Sequence, residues 1–371
     1  MKKYSIFLLL LAITTTAFSQ AYKFETKIDL GALDVINQGN TGTCWSFSTS
    51  SFLESEILRT TGKHIDLSEM YNVRQTYPIK SWNYVMRQGK AQFSEGGLAH
   101  DVINSMDAYG LVPNEVYTGL LKKETKYDHS KLVGELKTIL DDYIKNKKTY
   151  DGDWKSDVSK VLDKNLGENV KTFTYEGVSY TPQSFLIMTG LKADNYVSIT
   201  SFTHHPYNSS FILDIPDNFS NGSFYNVELD ELVDITNDAL KNGFTIELDC
   251  DVSEKTFSSK HGIAVMPKDE KDYNSALKTI EKELKVSAEY RQQEFENFDT
   301  TDDHLMHIVG LVEDQKGNTY YKVKNSWGGN SDRVSNDGYI YMSEAYFKLK
   351  TISIMVHKDA LPRAIKKDLN L

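Results

Sequence analysis

The chain has 371 residues, 40% of them apolar and 12% aromatic, with a formal net charge of −10. That is enough apolar material for one large domain or two lobes, and it excludes a disordered or fibrous chain. The acidic balance argues against a nucleic-acid partner and against an anionic membrane surface.

The chain opens with Met1-Lys2-Lys3, an apolar run from Ile6 to Ile13, and Ala17-Phe18-Ser19. A charged start, a short apolar stretch and a small-residue exit predict a secretory signal over residues 1–19. Cleavage after Ser19 removes Lys2 and Lys3 and takes the net charge to −12. The apolar run is too short for the roughly 20 residues of a membrane span, and no cysteine stands at the exit to carry a lipid. The expectation is an exported protein, periplasmic in a Gram-negative bacterium or secreted, with no membrane association after cleavage.

Residues 20–117 read as a helical lobe. Cys44 to about Arg59 lacks Pro and Gly, carries Trp45, Phe52, Leu53 and Ile57, and is followed by Gly62 as a C-terminal cap. A second helix is expected after Ser68 and a third from about Leu98 to Ala108, ending at Gly110. Residues 118–240 read as an insertion, with amphipathic helix around Lys131–Leu140 and loop-rich aromatic sequence from Tyr175 to Tyr225. Residues 241–371 read as a β-rich lobe, with strands near 244–250, 307–312, 319–324 and 338–342 and a short C-terminal tail. No internal repeat and no phosphate-binding glycine loop is present.

Cys44 stands at a glycine-rich loop where a helix begins. Unpaired N–H groups there stabilise a thiolate, so a lowered thiol pKa and a nucleophilic role are expected, against the bland alternative of a buried small hydrophobe. Cys250, in a strand, reads as that bland case, because a bond between the two cysteines would block Cys44. A nucleophile needs a base, a group to orient the base, and oxyanion donors. His304 at a strand start and Asn325 at a strand end, beside Trp327, supply candidates. No metal and no cofactor is expected: His304 and His307 lack the helical Glu context of a zinc site and an identified third ligand. The pair His204 and His205 is taken as structural.

These residues resemble the papain-like cysteine peptidases. A Gln six residues ahead of the Cys in Gly-x-Cys-Trp, a His-x5-Gly strand and Asn-Ser-Trp-Gly all occur here in family order, at Gln38, Cys44, His304, Gly310 and Asn325. The resemblance implies an α+β fold, with a helical left lobe, an antiparallel β-barrel right lobe and the site between them. It implies that Cys44 attacks, His304 is acid and base, Asn325 orients His304, and Gln38 joins the Cys44 N–H in the oxyanion hole, with Trp327 shielding the His304–Asn325 bond. The strand glycine selects His304 as the base. His307, an odd offset along the strand, is expected on the opposite face. For peptide substrates, Gly97 and its neighbour Gly96 are implied as a backbone docking edge, and Leu305, Met306 and Ile246 as pocket walls, although core packing explains the last three equally well.

Thr41 and Ser94 occupy two positions that are usually disulfide-bonded cysteines in secreted papain types. That loss, the 260 residues from Cys44 to His304, Glu95-Gly96-Gly97, Tyr109 to Pro113 and Ser201 to Pro206 resemble the bleomycin hydrolase and aminopeptidase C branch. From the expected cleavage to Cys44 there is no room for an inhibitory propeptide. The branch implies aminopeptidase action, with a carboxyl-terminal arm in the cleft, and frequent homo-oligomers. The tail here is short for such an arm, so an endopeptidase with an open cleft stays as the alternative, and an inactive binding protein as a remoter one.

Overall fold

The computed structural model describes residues 21–371, so the signal segment expected over residues 1–19 lies outside the described residues. After β1 (Glu25–Asp29), α1 spans Cys44–Thr61 and ends at Gly62, whose φ of 71° lets its N–H bond the Leu58 carbonyl. All of α1 from Cys44 to Ile57 is buried, which its serines permit. They are small enough for close approach and find acceptors off the helix: Ser46 donates to the Glu69 carbonyl, Ser48 to that of Met306 and Ser55 to that of Gly31, at 2.6–2.7 Å. The next two helices fall as the sequence predicts. α2 (Glu69–Met86) is capped by the Ser68 hydroxyl and α3 (Ala99–Tyr109) stops at Gly110.

The insertion divides its loyalties. In α4 (Leu132–Asn146) and α5 (Trp154–Leu166), Leu132, Leu136 and Leu140 face Val158, Leu162 and Leu166; each set repeats every four residues and joins the core of the helical lobe. A hairpin of β2 (Phe173–Tyr175) and β3 (Val178–Tyr180) follows, turning on Glu176 and Gly177, both at positive φ. After α6 (Pro182–Thr189), the stretch read as loop-rich instead contributes β4 (Tyr196–Thr200), β5 (Ser209–Ile212) and β6 (Ser223–Asn226) to the main sheet. Strands of four or five residues separated by His-His-Pro and Asn-rich turns offer too little alternation to read.

The remaining elements are α7 (Leu229–Lys241), β7 (Ile246–Cys250), β8 (Phe257–Ser258), β9 (Ile263–Ala264), α8 (Tyr273–Ala276), α9 (Ala288–Glu296), β10 (His304–Glu313), β11 (Thr319–Lys324), β12 (Tyr339–Ser343), α10 (Glu344–Lys350), β13 (Thr351–His357) and α11 (Arg363–Asp368). The sheet has eleven strands in the order β5-β6-β4-β13-β7-β10-β11-β12-β9-β8, with β1 added on β10. β13, buried along its whole length, was not read from the sequence, although Thr-Ile-Ser-Ile-Met-Val-His is rich in β-branched residues. Its place between β4 and β7 ties the insertion's strands to the right lobe. α1 lies against β10 and β7, and this packing sets the first turn of α1 beside the first residue of β10.

Candidate active site

The segment before α1 is fixed by pairing with the segment after β11. Gln38 N–H donates to the Ser326 carbonyl at 2.9 Å and Gly328 N–H to that of Ile36 at 3.0 Å. Gln38 Oε1 accepts the Ser326 hydroxyl, while Nε2 donates to the Thr41 carbonyl at 2.8 Å. These bonds fix the side-chain amide of a residue that lines the cleft, with one Nε2 hydrogen engaged and one unused. Where the papain-type disulfide is missing, Glu95 joins the same two loops: its carboxylate accepts Gly42 N–H and its carbonyl accepts Trp45 Nε1–H at 3.0 Å. The sequence reading missed this use of Glu95, for which the paired loss of Thr41 and Ser94 cysteines was the available signal.

Cys44 and His304 line one cleft of about 700 Å³, together with Gln38, Gly96 and Trp327. His304 Nε2 lies 2.8 Å from Asn325 Oδ1, which also accepts Ser326 N–H at 2.7 Å. Two acceptor contacts identify that atom as the oxygen, so Nε2 is the donor and neutral His304 keeps its lone pair on Nδ1. Trp327 stacks on the imidazole, ring centroids 4.8 Å apart and planes 29° apart, and Phe257 packs edge-on against the indole. Ring over ring leaves the His304–Asn325 bond little water, and both residues are buried.

The lowered thiol pKa expected from the helix start is not what the surroundings give. Burial, reinforced by Asp302, Asp217 and Asp249, pushes the Cys44 thiol up to about 12, against a hydrogen bond from the Leu305 backbone. Burial likewise pushes the His304 imidazole down to about 4, opposed by Asn325. Either charge alone is disfavoured here. Moving the proton from sulfur to imidazole creates both at once, with no change in net charge, so each ion stabilises the other.

The expected substrate-binding residues separate. Gly96 and Trp327 line the cleft, but Gly97 is packed beneath it, where a Cβ would stand 3.1 Å from the Trp45 ring. Leu305 and Met306 face a second pocket of about 460 Å³, open to the surface past Asp34, His64 and Asp66, and Ile246 is in the right-lobe core; Val252, Asp303 and Asp217 occupy cleft wall instead. Asp217, from the insertion, carried no sequence signal. His307 lines that second pocket: Nδ1 is 3.0 Å from Ser51 Oγ, which also accepts Lys324 Nζ at 2.8 Å. Glu54, Asp66 and Glu69, at the same cavity, have carboxylate oxygens within 4.8 Å of one another, close enough to hold a cation, and Lys324 already supplies positive charge there. Cys44 and Cys250 are both free and buried. His204 is held by Gln292, as a structural histidine should be.

A buried thiol, an imidazole oriented by an amide, and a glutamine amide lining the same cleft define a thiol-hydrolase site. The chain belongs to the Peptidase C1-like family, whose model matches residues 83–371. It is 24% identical over 380 residues to aminopeptidase C of Listeria monocytogenes, covering 91% of this chain and 82% of that protein. It is also 24% identical to aminopeptidase C of Lactococcus lactis subsp. cremoris, covering 91% and 83%. The fold matches the crystal structure of PepW from Lactobacillus rhamnosis with a TM-score of 0.73, at 20% identity over 93% of this chain and 84% of that one.

Proposed function

We propose that the protein is a cysteine aminopeptidase of the bleomycin hydrolase type, acting through a thioester. His304 Nδ1 takes the Cys44 proton as sulfur attacks the scissile carbonyl, and the free Gln38 Nε2 hydrogen and the Cys44 N–H receive the oxyanion. His304 then protonates the departing amine, and water, deprotonated by the same nitrogen, releases the acyl group and restores the thiol. The observation that carries the reading is the His304 Nε2 to Asn325 Oδ1 bond, which leaves Nδ1 as the base in the cleft that holds Cys44. The names of the relatives from Listeria and Lactococcus support the aminopeptidase mode. Export follows from the leader sequence alone, and homo-oligomerisation from the branch resemblance alone.

Cys44→Ala is expected to abolish hydrolysis of aminoacyl-amide substrates; unchanged turnover in that variant would sink the mechanism. Equal cleavage of amino-free and amino-blocked peptides would select the endopeptidase alternative.

A further inference from the structure

The groove beside Cys44 is closed at one end by the insertion. The loop between β5 and β6 sets Asp217 directly on Gly96, where a Cβ would lie 1.8 Å from Asp217 Oδ2. On the left-lobe side Asp217 Oδ1 accepts Gln92 Nε2 at 3.0 Å and Ser94 Oγ at 3.4 Å. On the right-lobe side its backbone N–H faces the Asp302 carboxylate, two residues before His304. The loop is tied down at several points. Asn218 bonds Leu213 and Gly222, Asn83 bonds the Phe219 carbonyl at 2.6 Å, and Ser220 donates to Asp101 at 2.6 Å. An extended chain cannot continue through that position.

The same wall of the cleft gathers carboxyl groups. Asp217 and Asp303 line the cleft, and behind them the Asp302 and Asp249 carboxyls face each other. Asp249 is 1% exposed, and among the described residues its Oδ1 and Asp302 Oδ2 find no donor beyond the facing carboxyl. Lys80 supplies one positive charge nearby, but its Nζ is engaged by the Gly96 carbonyl. Leu369 and Leu371 line a different hollow, with His100, Asn104 and Tyr225.

We infer that Asp217, backed by Asp302 and Asp249, is the specificity-determining group that receives the free α-ammonium of the residue whose carbonyl Cys44 attacks. This rests on the peptidase reading above and adds the residue that ends the cleft. A bound ammonium also offsets the carboxylates that oppose a thiolate at Cys44, so a substrate with a free amino terminus helps to ionise its own attacker. A blocked terminus lacks the charge and meets the closed end.

The test reads Cys44 directly. Leucine chloromethyl ketone, which forms a thioether with Cys44 and releases chloride, is compared with its N-acetyl form and with acetyl-Lys-Leu chloromethyl ketone, following Cys44 by mass spectrometry. The amino-free reagent is expected to label wild type at least tenfold faster than the acetylated one, and Asp217→Asn, which keeps the size of the side chain, to reduce that ratio to within about threefold. Because the ratio is taken within one variant, a general loss of packing does not move it, and Asp217→Ala provides a second reading. Equal labelling of wild type by the first two reagents, or an undiminished ratio in both Asp217 variants, overturns the inference while leaving the peptidase reading intact. Labelling fastest by the acetyl-Lys reagent overturns it in favour of a side-chain ammonium. No labelling of Cys44 by any of the three removes the peptidase reading and this inference with it.

Discussion

His304 and His307 stand three residues apart on β10, both buried, yet one lines the cleft that holds Cys44 and the other a separate pocket that does not. The cleft side gives His304 an amide acceptor, an indole cover and a thiol across the gap. The other side gives His307 a serine hydroxyl shared with Lys324, in a pocket edged by Glu54 and Glu69. Burial pushes both imidazoles down, and for His307 the Lys324 charge adds to it. What separates a base from a packing group is therefore not its pKa direction but what stands opposite its free nitrogen. For His304 that is the cleft. For His307, Nε2 is buried with no hydrogen-bond partner among the described residues.

The comparison is broken most severely by exchanging the two losses. His304→Ala is expected to lower kcat on the order of 10⁴-fold or more, whereas His307→Ala keeps activity within about fivefold and loses about 1–3 kcal/mol in urea unfolding. Comparable loss of activity in both would show that the two faces are not chemically distinct. Gln38→Ala, which removes one oxyanion donor on the cleft side, is expected to lower kcat by about 10²–10³-fold with little change in unfolding midpoint. On the other side, Lys324→Met removes the cation among buried carboxyls and is expected to destabilise by on the order of 3 kcal/mol at pH 8. That loss shrinks towards pH 6, where Glu54 is protonated and needs no partner.

The smallest expected effect is the pH dependence of the unfolding midpoint, in which carboxyls and imidazole pull in opposite directions. Burial raises Glu54 and Glu247 to about 8 and Asp302 and Glu283 to about 7. A raised folded pKa gives stability that is complete below the ordinary carboxylate value and is lost progressively as pH rises from there to the folded value of 7 to 8. His304, lowered from 6.5 to about 4, gives stability that is present above 6.5 and is lost as pH falls towards 4. Four raised carboxyls outweigh one lowered imidazole, so the midpoint should be highest near the ordinary carboxylate pKa and fall from there towards pH 8, and Glu54→Gln should make that fall shallower. A midpoint that climbs steadily from pH 6 to pH 9 would contradict the burial of these carboxyls.

Much of the cleft side was legible in sequence because its groups are held by local geometry. Cys44 is set by a helix start and a glycine cap, His304 and Asn325 by the two strands of one antiparallel pair, and Gln38 by a loop of fixed length to Cys44. Four of the strands were visible as runs of β-branched and aromatic residues, β11 to the residue. The pocket residues were less legible. Leu305 and Met306 are neighbours of His304 in sequence, but the packing of α1 against β10 turns them into the interior.

The proposed reacting set, Gln38, Cys44, His304 and Asn325, is legible from the chain alone, since these residue types in that order suit few other kinds of chemistry. The sequence also determined the helix-then-sheet order, through caps and periodicity. What surrounds the sulfur follows from the folded chain. Asp217 lies 173 positions from Cys44 in the chain, in a stretch with no motif, and reaches the cleft because β5 and β6 join a sheet whose other strands come from the last third of the chain. Burial and charge at a point are sums over everything folded around it, so the direction of the Cys44 pKa reverses between a helix start read alone and the same helix start beside three aspartates.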